Sequence, residues 1–257
     1  MKYADYGFEG RAAIVTGAGS GIGRACAIEL ASGGASVALF GRRKAPLEET
    51  AAECENLGAD VLALSVDVAD RGQVSGGVGE VLKKWGRIDI LMNVAGVDSR
   101  LDPGQTIDDL FDTFDEEGYL KFFAVHSWGH YNMNLAALPC MQSRRFGRVV
   151  NITSVTGLTG QWSSPPYTAS KAAAILQTRA FAKKYGKDNI TFNSISPGMV
   201  NTPMKIDSTP EEFEYVASLT PLGRVAEPID IARAALFFAQ ENLFVTGQNL
   251  VVDGGSN

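Results

Sequence analysis

Tyr167 and Lys171 stand four residues apart in the segment SPPYTASKAAAILQTRAFAKKYG, which has the composition of a helix. Positions i and i+4 lie on one helix face, so the phenol and the ammonium are expected to be neighbours. A free tyrosine has a pKa of about 10, and a nearby ammonium favours the phenolate and lowers that pKa. Ser154, 13 residues before Tyr167, ends an apolar segment and could donate a hydrogen bond to a substrate oxygen. The three side chains indicate acid–base chemistry, although Tyr-x-x-x-Lys alone fits helix packing better.

A second pair with the same spacing is His126 and His130, the only two histidines, in AVHSWGHYNMN. Two imidazoles on one helix face can supply half of a metal site, but a third ligand is required. Only scattered carboxylates such as Asp115 and Glu116 are candidates. We therefore predict no metal, and we expect His130 to be structural or near an interface.

The segments that must position these side chains are short apolar runs alternating with helical stretches. The pattern predicts strands at 12–17, 36–41, 60–67, 88–96, 147–154, 189–198 and 247–255, and helices near 22–33, 44–57, 70–86, 115–144, 166–187 and 227–240. Strands that are apolar on both faces and alternate with helices are typical of a parallel sheet covered on both sides. In such sheets ligands bind beyond the carboxyl ends of the strands, where Ser154 is expected to lie.

The first predicted strand runs into a glycine-rich turn, TGAGSGIG, at residues 16–23. Gly17, Gly21 and Gly23 follow the spacing G-x-x-x-G-x-G, which lets the backbone approach a pyrophosphate placed on the N-terminus of the next helix. A turn needed only for packing is the alternative. Together with the seven alternating apolar segments, the motif predicts a single Rossmann-type doubly wound α/β domain over 1–257, with a seven-stranded parallel sheet and helices on both faces. Its cofactor half covers about 10–150 and its catalytic half about 150–257.

The second predicted strand ends in LFGRRK, with Arg42 and Arg43 where a carboxylate would favour NAD. Two guanidinium groups can bind a ribose 2′-phosphate, so the sequence favours NADP(H), with NAD(H) still possible. A solvated pair of surface arginines is the alternative.

The composition excludes several other classes. A net charge of −6 and a pI near 5.0 speak against nucleic acid as a partner. There is no run of 18 apolar residues and no signal-peptide pattern at the start, so we expect no membrane association and a cytoplasmic location. Cys26, Cys54 and Cys140 lie far apart and are expected to be reduced.

Together these motifs resemble the classical short-chain dehydrogenase/reductase family along the whole chain. The matching segments are TGAGSGIG, Asp67–Val68, NVAG at 93–96, Ser154 with YTASK, NSISPGMVNTPM at 193–204, and TGQNLVVDGG. NVAG has Val94 where the family has a second asparagine.

The resemblance implies hydride transfer between a nicotinamide and a secondary alcohol or ketone. Tyr167 would be the acid or base, Ser154 would hold the substrate oxygen, and Lys171 would lower the tyrosine pKa and bind the nicotinamide ribose. It also implies a homo-oligomer, a tetramer or dimer formed through the long helices. The implied cofactor-binding residues are Thr16, Gly17, Ser20, Gly21, Ile22, Gly23, Arg42, Arg43, Asp67, Val68, Asn93, Ala95, Gly96, Tyr167, Lys171, Pro197, Gly198, Val200 and Thr202.

His126 stands where the family places an asparagine that takes part in a proton relay. It precedes Pro139 by 13 residues and Ser154 by 28, which are the family's intervals. A histidine has a donor and an acceptor nitrogen and titrates near neutrality, so we predict that His126 serves the relay as a fourth catalytic residue. A histidine that only fills the space and binds water is the alternative.

The substrate pocket is the least determined part of the prediction. We expect Gln161, Trp162, Met199 and Met204 to line it, and a lid over about 204–224 to cover it. The long 97–118 segment is either a pocket wall or a surface insertion. Aromatic and thioether walls favour an apolar cyclic or steroid-like alcohol. No run of basic residues suggests a carrier-protein dock. A cofactor-binding sensor with weakened catalysis and a non-redox lyase or epimerase of the same fold are the alternatives.

Overall fold

A computed structural model describes residues 7–98, 114–161, 163–205 and 209–257. Within these residues the strands are β1 (Ala12–Thr16), β2 (Ser36–Gly41), β3 (Val61–Ser65), β4 (Ile90–Asn93), β5 (Gly147–Ile152), β6 (Ile190–Pro197) and β7 (Asn249–Val252). They form one sheet in the order β3-β2-β1-β4-β5-β6-β7, and every neighbouring pair is parallel.

The helices pack on both faces of this sheet. They are α1 (Gly21–Ser32), α2 (Lys44–Asn56), α3 (Arg71–Trp85), α4 (Glu116–Phe123), α5 (His130–Arg144), α6 (Thr156–Thr159), α7 (Pro165–Tyr185), α8 (Pro210–Leu219) and α9 (Pro228–Ala239). Short 3-10 turns occur at Gly186–Asp188 and Pro203–Lys205. The helix predicted over 115–144 is present, but its middle, Ala124–Gly129, is a π-helix that joins α4 to α5.

Two apolar clusters show that both sheet faces are covered. On one face, Leu30 of α1 and Leu236 of α9 pack against strand residues such as Val15. On the other, Met133 of α5 and Phe181 of α7 pack against Ile14 and its neighbours. Alternate residues of a strand point to opposite faces, so adjacent Ile14 and Val15 belong to different clusters. The predicted seven-stranded, doubly wound fold is confirmed.

The chain reverses its direction of travel across the sheet between β3 and β4. It runs outward from β1 to β3, returns to place β4 on the other side of β1, and continues outward to β7. In doubly wound sheets this point of reversal opens a crevice beyond the carboxyl ends of the two central strands. The candidate site therefore belongs between the loops that follow β1 and β4.

Several strands end earlier than their apolar runs. The prediction extended strands over 60–67 and 88–96, whereas β3 ends at Ser65 and β4 at Asn93. Residues 66–67 and 94–96 lie beyond these strand ends, although the Val66 amide still donates to the Gly41 carbonyl of β2 at 3.0 Å. Hydrophobicity alone marks burial, and it does not mark where strand pairing stops.

In the described part of the chain, no helix combines the length and apolar character that crossing a bilayer requires.

Cys26 and Cys54 are buried free thiols on α1 and α2, and burial raises the pKa of each to about 12. Cys140 is a partly buried free thiol on α5. All three cysteines lie on helices.

Candidate active site

The turn after β1 has the backbone shape that an anion requires. Gly17 and Gly21 have φ angles of 65° and 51°, in the left-handed region that favours glycine. A Cβ on Gly23 would lie inside contact distance of the Gly17 carbonyl oxygen. Ser20 precedes α1 without a side-chain cap, and the first turn of α1 has no acidic residue. The amides at this helix start can therefore receive a phosphate, which fits a dinucleotide pyrophosphate.

This turn forms one wall of a cleft that continues along the ends of β2, β3 and β4. The cleft brings together predicted cofactor residues from five loops: Gly17, Ser20, Gly21, Ile22, Gly23, Arg42, Arg43, Asp67, Val68, Ala95, Gly96 and Thr202. Its other lining residues, which the sequence reasoning missed, include Pro46, Leu47, Val66, Val97, Val125 and Pro203. The cleft follows the sheet edge over several strands, as an extended ligand such as a dinucleotide would require.

Other predicted cofactor residues lie outside the cleft wall. Thr16 is buried beneath it, and its Oγ1 accepts hydrogen bonds from the amides of Val94 and Ala95 at 2.9 and 3.0 Å. Thr16 thus fixes the loop after β4. Pro197 ends β6, and Val200 pairs with Ala226 in an isolated bridge.

Gly198 is held by a hydrogen bond from its amide to the Val252 carbonyl, at 3.1 Å. A Cβ on Gly198 would lie 2.9 Å from the Asp253 Cβ, so glycine is required for β6 and β7 to approach there.

Arg42 and Arg43 are exposed at the cleft edge directly after β2. Among the residues described, neither guanidinium takes part in an ion pair. Both charges can therefore turn towards a phosphate without breaking an ion pair to another described residue. The arrangement fits the 2′-phosphate of NADP(H).

The catalytic candidates meet beyond the carboxyl end of β5. Ser154 and Lys171 are 7% and 4% exposed, and Tyr167 is partly buried. The Lys171 Nζ lies 5.6 Å from the centre of the Tyr167 ring and donates to the Ile152 carbonyl at 3.2 Å. Predicted as i and i+4 neighbours, Tyr167 and Lys171 do share one face of α7.

Ser154 has a partner that the sequence reasoning missed. Thr156 Oγ1 donates to Ser154 Oγ at 3.0 Å, and the Thr156 amide approaches the same oxygen at 3.2 Å. A Cβ on Gly157 would lie 2.8 Å from the Ala172 amide nitrogen, so α6 packs closely on α7. Ser154 Oγ therefore accepts from Thr156, and the Ser154 hydroxyl is also hydrogen-bonded to Tyr167, the residue with which it would share a substrate oxygen.

Burial dominates the proton affinities of this cluster. It raises the pKa of Tyr167 above the ordinary tyrosine value; the Asp98 carboxylate raises it further, and the hydrogen bond with Ser154 acts in the opposite direction. Burial lowers the pKa of Lys171 to about 8, against the attraction of Asp98. The pKa of Tyr167 therefore moves in the direction opposite to the one expected for a tyrosine beside an ammonium, because desolvation of the phenolate is the largest effect.

His126 is fully buried in the π-helix, and both of its ring nitrogens have partners. Nε2 accepts from the Val97 amide at 3.0 Å, and Nδ1 lies 2.9 Å from Ser170 Oγ. The ring also meets the Tyr167 ring edge to face, with centres 5.2 Å apart. Burial, reinforced by the Lys171 charge, holds the pKa of His126 well below the usual histidine value.

His130 differs from His126 although it is one turn away. It is buried, and neither of its nitrogens has a hydrogen-bond partner among the described residues. Burial and the charge of Lys171 lower its pKa to about 3. Within the ranges that the structure describes, no three His, Cys, Asp or Glu side chains gather as metal ligands do.

A buried amide network supports the strands beneath the site. Asn93 Nδ2 donates to Asn134 Oδ1 at 3.0 Å and to Asn151 Oδ1 at 2.8 Å, and Asn151 Nδ2 donates to Thr178 Oγ1. Asn132 Nδ2, also on α5, donates to the Val68 carbonyl at 3.0 Å. The signal available in the sequence was the polar pair Asn132 and Asn134 inside an otherwise apolar stretch.

The predicted substrate residues are scattered. Gln161 is exposed, Met199 is partly buried, and Met204 is 37% exposed at the cleft edge. Trp162 lies outside the described residues, as do 99–113 of the long 97–118 segment. The predicted lid, 204–224, contains α8.

A doubly wound parallel sheet with this glycine turn, cleft and Ser-Tyr-Lys cluster defines a nicotinamide-dependent oxidoreductase. A family model described as enoyl-(acyl carrier protein) reductase matches residues 17–257. The 3-oxoacyl-(acyl-carrier-protein) reductase of Thermotoga maritima is 36% identical over 248 residues, covering 96% of this chain and 98% of that protein.

Two further relatives carry other names. The 7alpha-hydroxysteroid dehydrogenase of Bacteroides fragilis is 32% identical over 254 residues, covering 96% and 95% of the two chains. The crystal structure of levodione reductase superposes with a TM-score of 0.88 at 30% identity, covering 96% of this chain and 98% of that one. The chain belongs to the classical short-chain dehydrogenase/reductase family, as its motifs predicted.

Proposed function

We propose that this NAD(P)-dependent oxidoreductase interconverts a secondary alcohol and a ketone, with NADP(H) preferred over NAD(H) and Tyr167 as the acid or base. The observation that carries the proposal is the meeting of Ser154, Tyr167 and Lys171 at the carboxyl end of β5, beside a cleft that fits a dinucleotide. The exposed pair Arg42 and Arg43 supports the cofactor preference.

The bound cofactor supplies or accepts the hydride. In the reductive direction, the Tyr167 hydroxyl gives its proton to the carbonyl oxygen; in the oxidative direction, the phenolate takes the proton of the alcohol. Ser154 donates a hydrogen bond to the same oxygen, and the bond it accepts from Thr156 Oγ1 aligns and polarises its hydroxyl. Lys171 is proposed to hold the nicotinamide ribose.

The protonated form of Tyr167 is the one that the reductive direction requires. Burial keeps the pKa of the phenol above its ordinary value, so the proton that a reduction consumes is present. The oxidative direction needs the phenolate and is expected to gain from rising pH.

For the substrate, we propose an apolar cyclic or steroid-like ketone. The thioether side chain of Met204 at the cleft edge supports it, and so do the names of the hydroxysteroid dehydrogenase and levodione reductase relatives. The second candidate is a 3-oxoacyl thioester, which the relative from Thermotoga maritima favours.

A side-by-side substrate panel tests the proposal. The purified chain is mixed with NADPH or NADH and with steroid ketones, small cyclic ketones, keto sugars or a 3-oxoacyl thioester, and the loss of reduced-nicotinamide absorbance is followed. We expect turnover with a cyclic or steroid ketone, faster with NADPH, and its loss in the Tyr167→Phe variant. Turnover of the thioester alone would establish the second candidate.

The same panel separates the two other classes. Tight cofactor binding with no turnover of any substrate would indicate a sensor. Conversion of substrate without net change in the nicotinamide would indicate a lyase or epimerase.

The predicted homo-oligomer and cytoplasmic location stay predictions. An exposed Trp128 stacked on Tyr131 supports a contact with a second copy along α5.

A further inference from the structure

The hydrogen bonds around His126 form a directed chain with fixed donors. The Val97 amide donates to His126 Nε2 at 3.0 Å, so that nitrogen offers its lone pair and carries no hydrogen. The neutral ring therefore carries its hydrogen on Nδ1, which faces Ser170 Oγ at 2.9 Å. Ser170 in turn donates to the Tyr167 carbonyl at 2.7 Å. Each hydrogen bond in this series therefore has only one possible donor and one possible acceptor.

Such a chain cannot carry a proton to solvent or to substrate. It begins at a backbone amide, which keeps its hydrogen, and it ends at a backbone carbonyl. Both ring nitrogens are occupied within the protein, so neither is left for a relay water. The predicted relay role of His126 stays untested, and the geometry favours a different one.

The two ends of the chain belong to different parts of the site. Val97 follows the Asn93–Gly96 loop, of which Ala95 and Gly96 line the cofactor cleft, and Tyr167 begins the catalytic helix α7. A Cβ on Gly96 would lie 3.3 Å from His126 Nε2, so the ring is seated directly against that loop. The edge-to-face contact with Tyr167 fixes the phenol from the same side.

The π-helix contributes to this placement. A π-turn adds one residue to a helix and widens it locally, and such turns are frequent at functional sites. His126 lies within Ala124–Gly129, between α4 and α5. The widened turn presents the imidazole to two neighbouring elements at once.

We propose that His126 is a positioning residue: its neutral Nδ1–H imidazole bridges the cofactor loop at Val97 and the catalytic helix at Ser170, and so sets the position of Tyr167 relative to the cofactor. The inference rests on the proposed function for its kinetic consequence. The bridge itself does not depend on activity and has a readout of its own.

The direct test is nitrogen NMR of the ring. The chain has two histidines, so ¹⁵N-histidine labelling gives two imidazole patterns, and His126→Asn identifies the one to follow. We expect the Nδ1–H tautomer for His126, with no titration between about pH 5 and 8. Among the described residues, the positive charges that act on the ring are those of Lys171 and His130, and both disfavour its protonation. Tyr167 touches the ring, and the Asp98 carboxylate, beyond Val97, acts on Tyr167 and Lys171.

The kinetic test uses Ser170→Ala, which keeps the histidine and removes its Nδ1 partner. We expect kcat to fall about 10-fold, with cofactor KM within about twofold of the wild type, because one buried hydrogen bond is lost and the cleft is unchanged. Ser143→Ala, at an exposed serine at the end of α5, is the matched control and should leave kcat unchanged.

Replacement of the ring gives the larger effect. His126→Asn carries the family's amide on a shorter side chain and should lower kcat about 100-fold, since small misplacements of reacting groups are costly. His126→Gln, with a donor and an acceptor on a longer side chain, should recover part of the loss. In both variants the inflections of the kcat–pH profile should stay where the wild type has them, whereas a relay predicts that they move.

Three results would overturn the bridge: an Nε2–H tautomer, a ring that titrates near neutrality, or a Ser170→Ala enzyme with wild-type kcat. If the wild type reduces no substrate at all, the proposed function fails, and the NMR tautomer still decides whether the bridge exists.

Discussion

The two ends of the site are built in different ways. At the cofactor end, the turn at 16–23 and the exposed arginines Arg42 and Arg43 offer backbone amides and free charges to an open cleft. At the catalytic end, Ser154, Lys171 and His126 are buried and are hydrogen-bonded to neighbouring elements.

This difference decides what each end tolerates. The cofactor end needs small residues and a particular backbone shape, so an added methyl group disturbs it more than a lost polar atom. The catalytic end is already filled with polar groups, so the loss of one partner leaves another buried group unsatisfied. The following variants test that contrast, from the largest expected effect to the smallest.

The largest effect is expected at the catalytic end, from Tyr167→Phe. Removing the acid–base hydroxyl should lower kcat/KM by about 100- to 10,000-fold. Cofactor affinity, measured by titration of reduced-nicotinamide fluorescence, should stay close to that of the wild type. Tyr131→Phe on α5 is the matched control and should keep full activity; a Tyr167→Phe enzyme with more than a tenth of wild-type turnover would contradict the assignment.

At the cofactor end, Gly23→Ala should both destabilise the fold and weaken cofactor binding, because its Cβ would collide with the Gly17 carbonyl. Overpacking of this kind costs about 1–3 kcal/mol in the free energy of unfolding, measurable by urea denaturation. Gly76→Ala, on α3 with open space around it, should instead raise stability by up to about 1 kcal/mol. Equal stabilities for the two variants would show that the turn is not tightly packed.

Acid should lower the stability of the folded protein through the catalytic end, because both histidines are buried there. The pKa of His130 is lowered from 6.5 to about 3, so below the ordinary value the unfolded chain takes up a proton that the folded chain refuses. The stability present at neutral pH is therefore lost as pH falls, by about 2 kcal/mol for this residue at about pH 5.

Urea unfolding at neutral and acidic pH should show a smaller loss in His130→Gln than in the wild type. Glutamine cannot take up a proton, so the variant tests directly whether protonation of His130 causes the loss of stability. Identical pH dependence in the two proteins would mean that His130 is not the residue responsible.

The smallest effect is expected from the exposed arginines at the cleft edge, Arg42 and Arg43. Replacing Arg42 and Arg43 by serine should raise the KM for NADPH about 10-fold and leave the KM for NADH nearly unchanged, because only charged contacts to the 2′-phosphate are lost. Arg71→Ser, at another exposed arginine, is the control. An equal loss for both cofactors would remove the basis for the proposed NADP(H) preference.

Many residues that the sequence singled out for the cofactor line one cleft, because the signals for that end are local. The strand–turn–helix order, the spacing of Gly17, Gly21 and Gly23, and the arginines after β2 all lie within one short stretch of chain. The alternation of apolar and helical segments was sufficient to predict the seven-stranded parallel sheet and the helices on both of its faces.

The catalytic end was predicted only in part. The i, i+4 pair Tyr167 and Lys171 is local, and it was found. The bonds of His126 to Val97 and Ser170, and that of Thr156 to Ser154, depend on how α5, α6 and α7 pack against loops distant in sequence. The π-helix was also missed, since its apolar periodicity differs from that of an α-helix by a single residue.

That extra residue makes the length of the helix as important as its composition. Each residue of an α-helix turns the chain by about 100°, so removing one residue between Glu116 and Gly129 would rotate everything before the deletion against everything after it. Asn132 and Asn134 would keep their hydrogen bonds with Val68 and Asn93. His126, or the α4 residues before it, would then lie on a different side of the helix. Homologues that differ here by one residue are thus expected to differ in the geometry of the catalytic wall even where their motifs are identical.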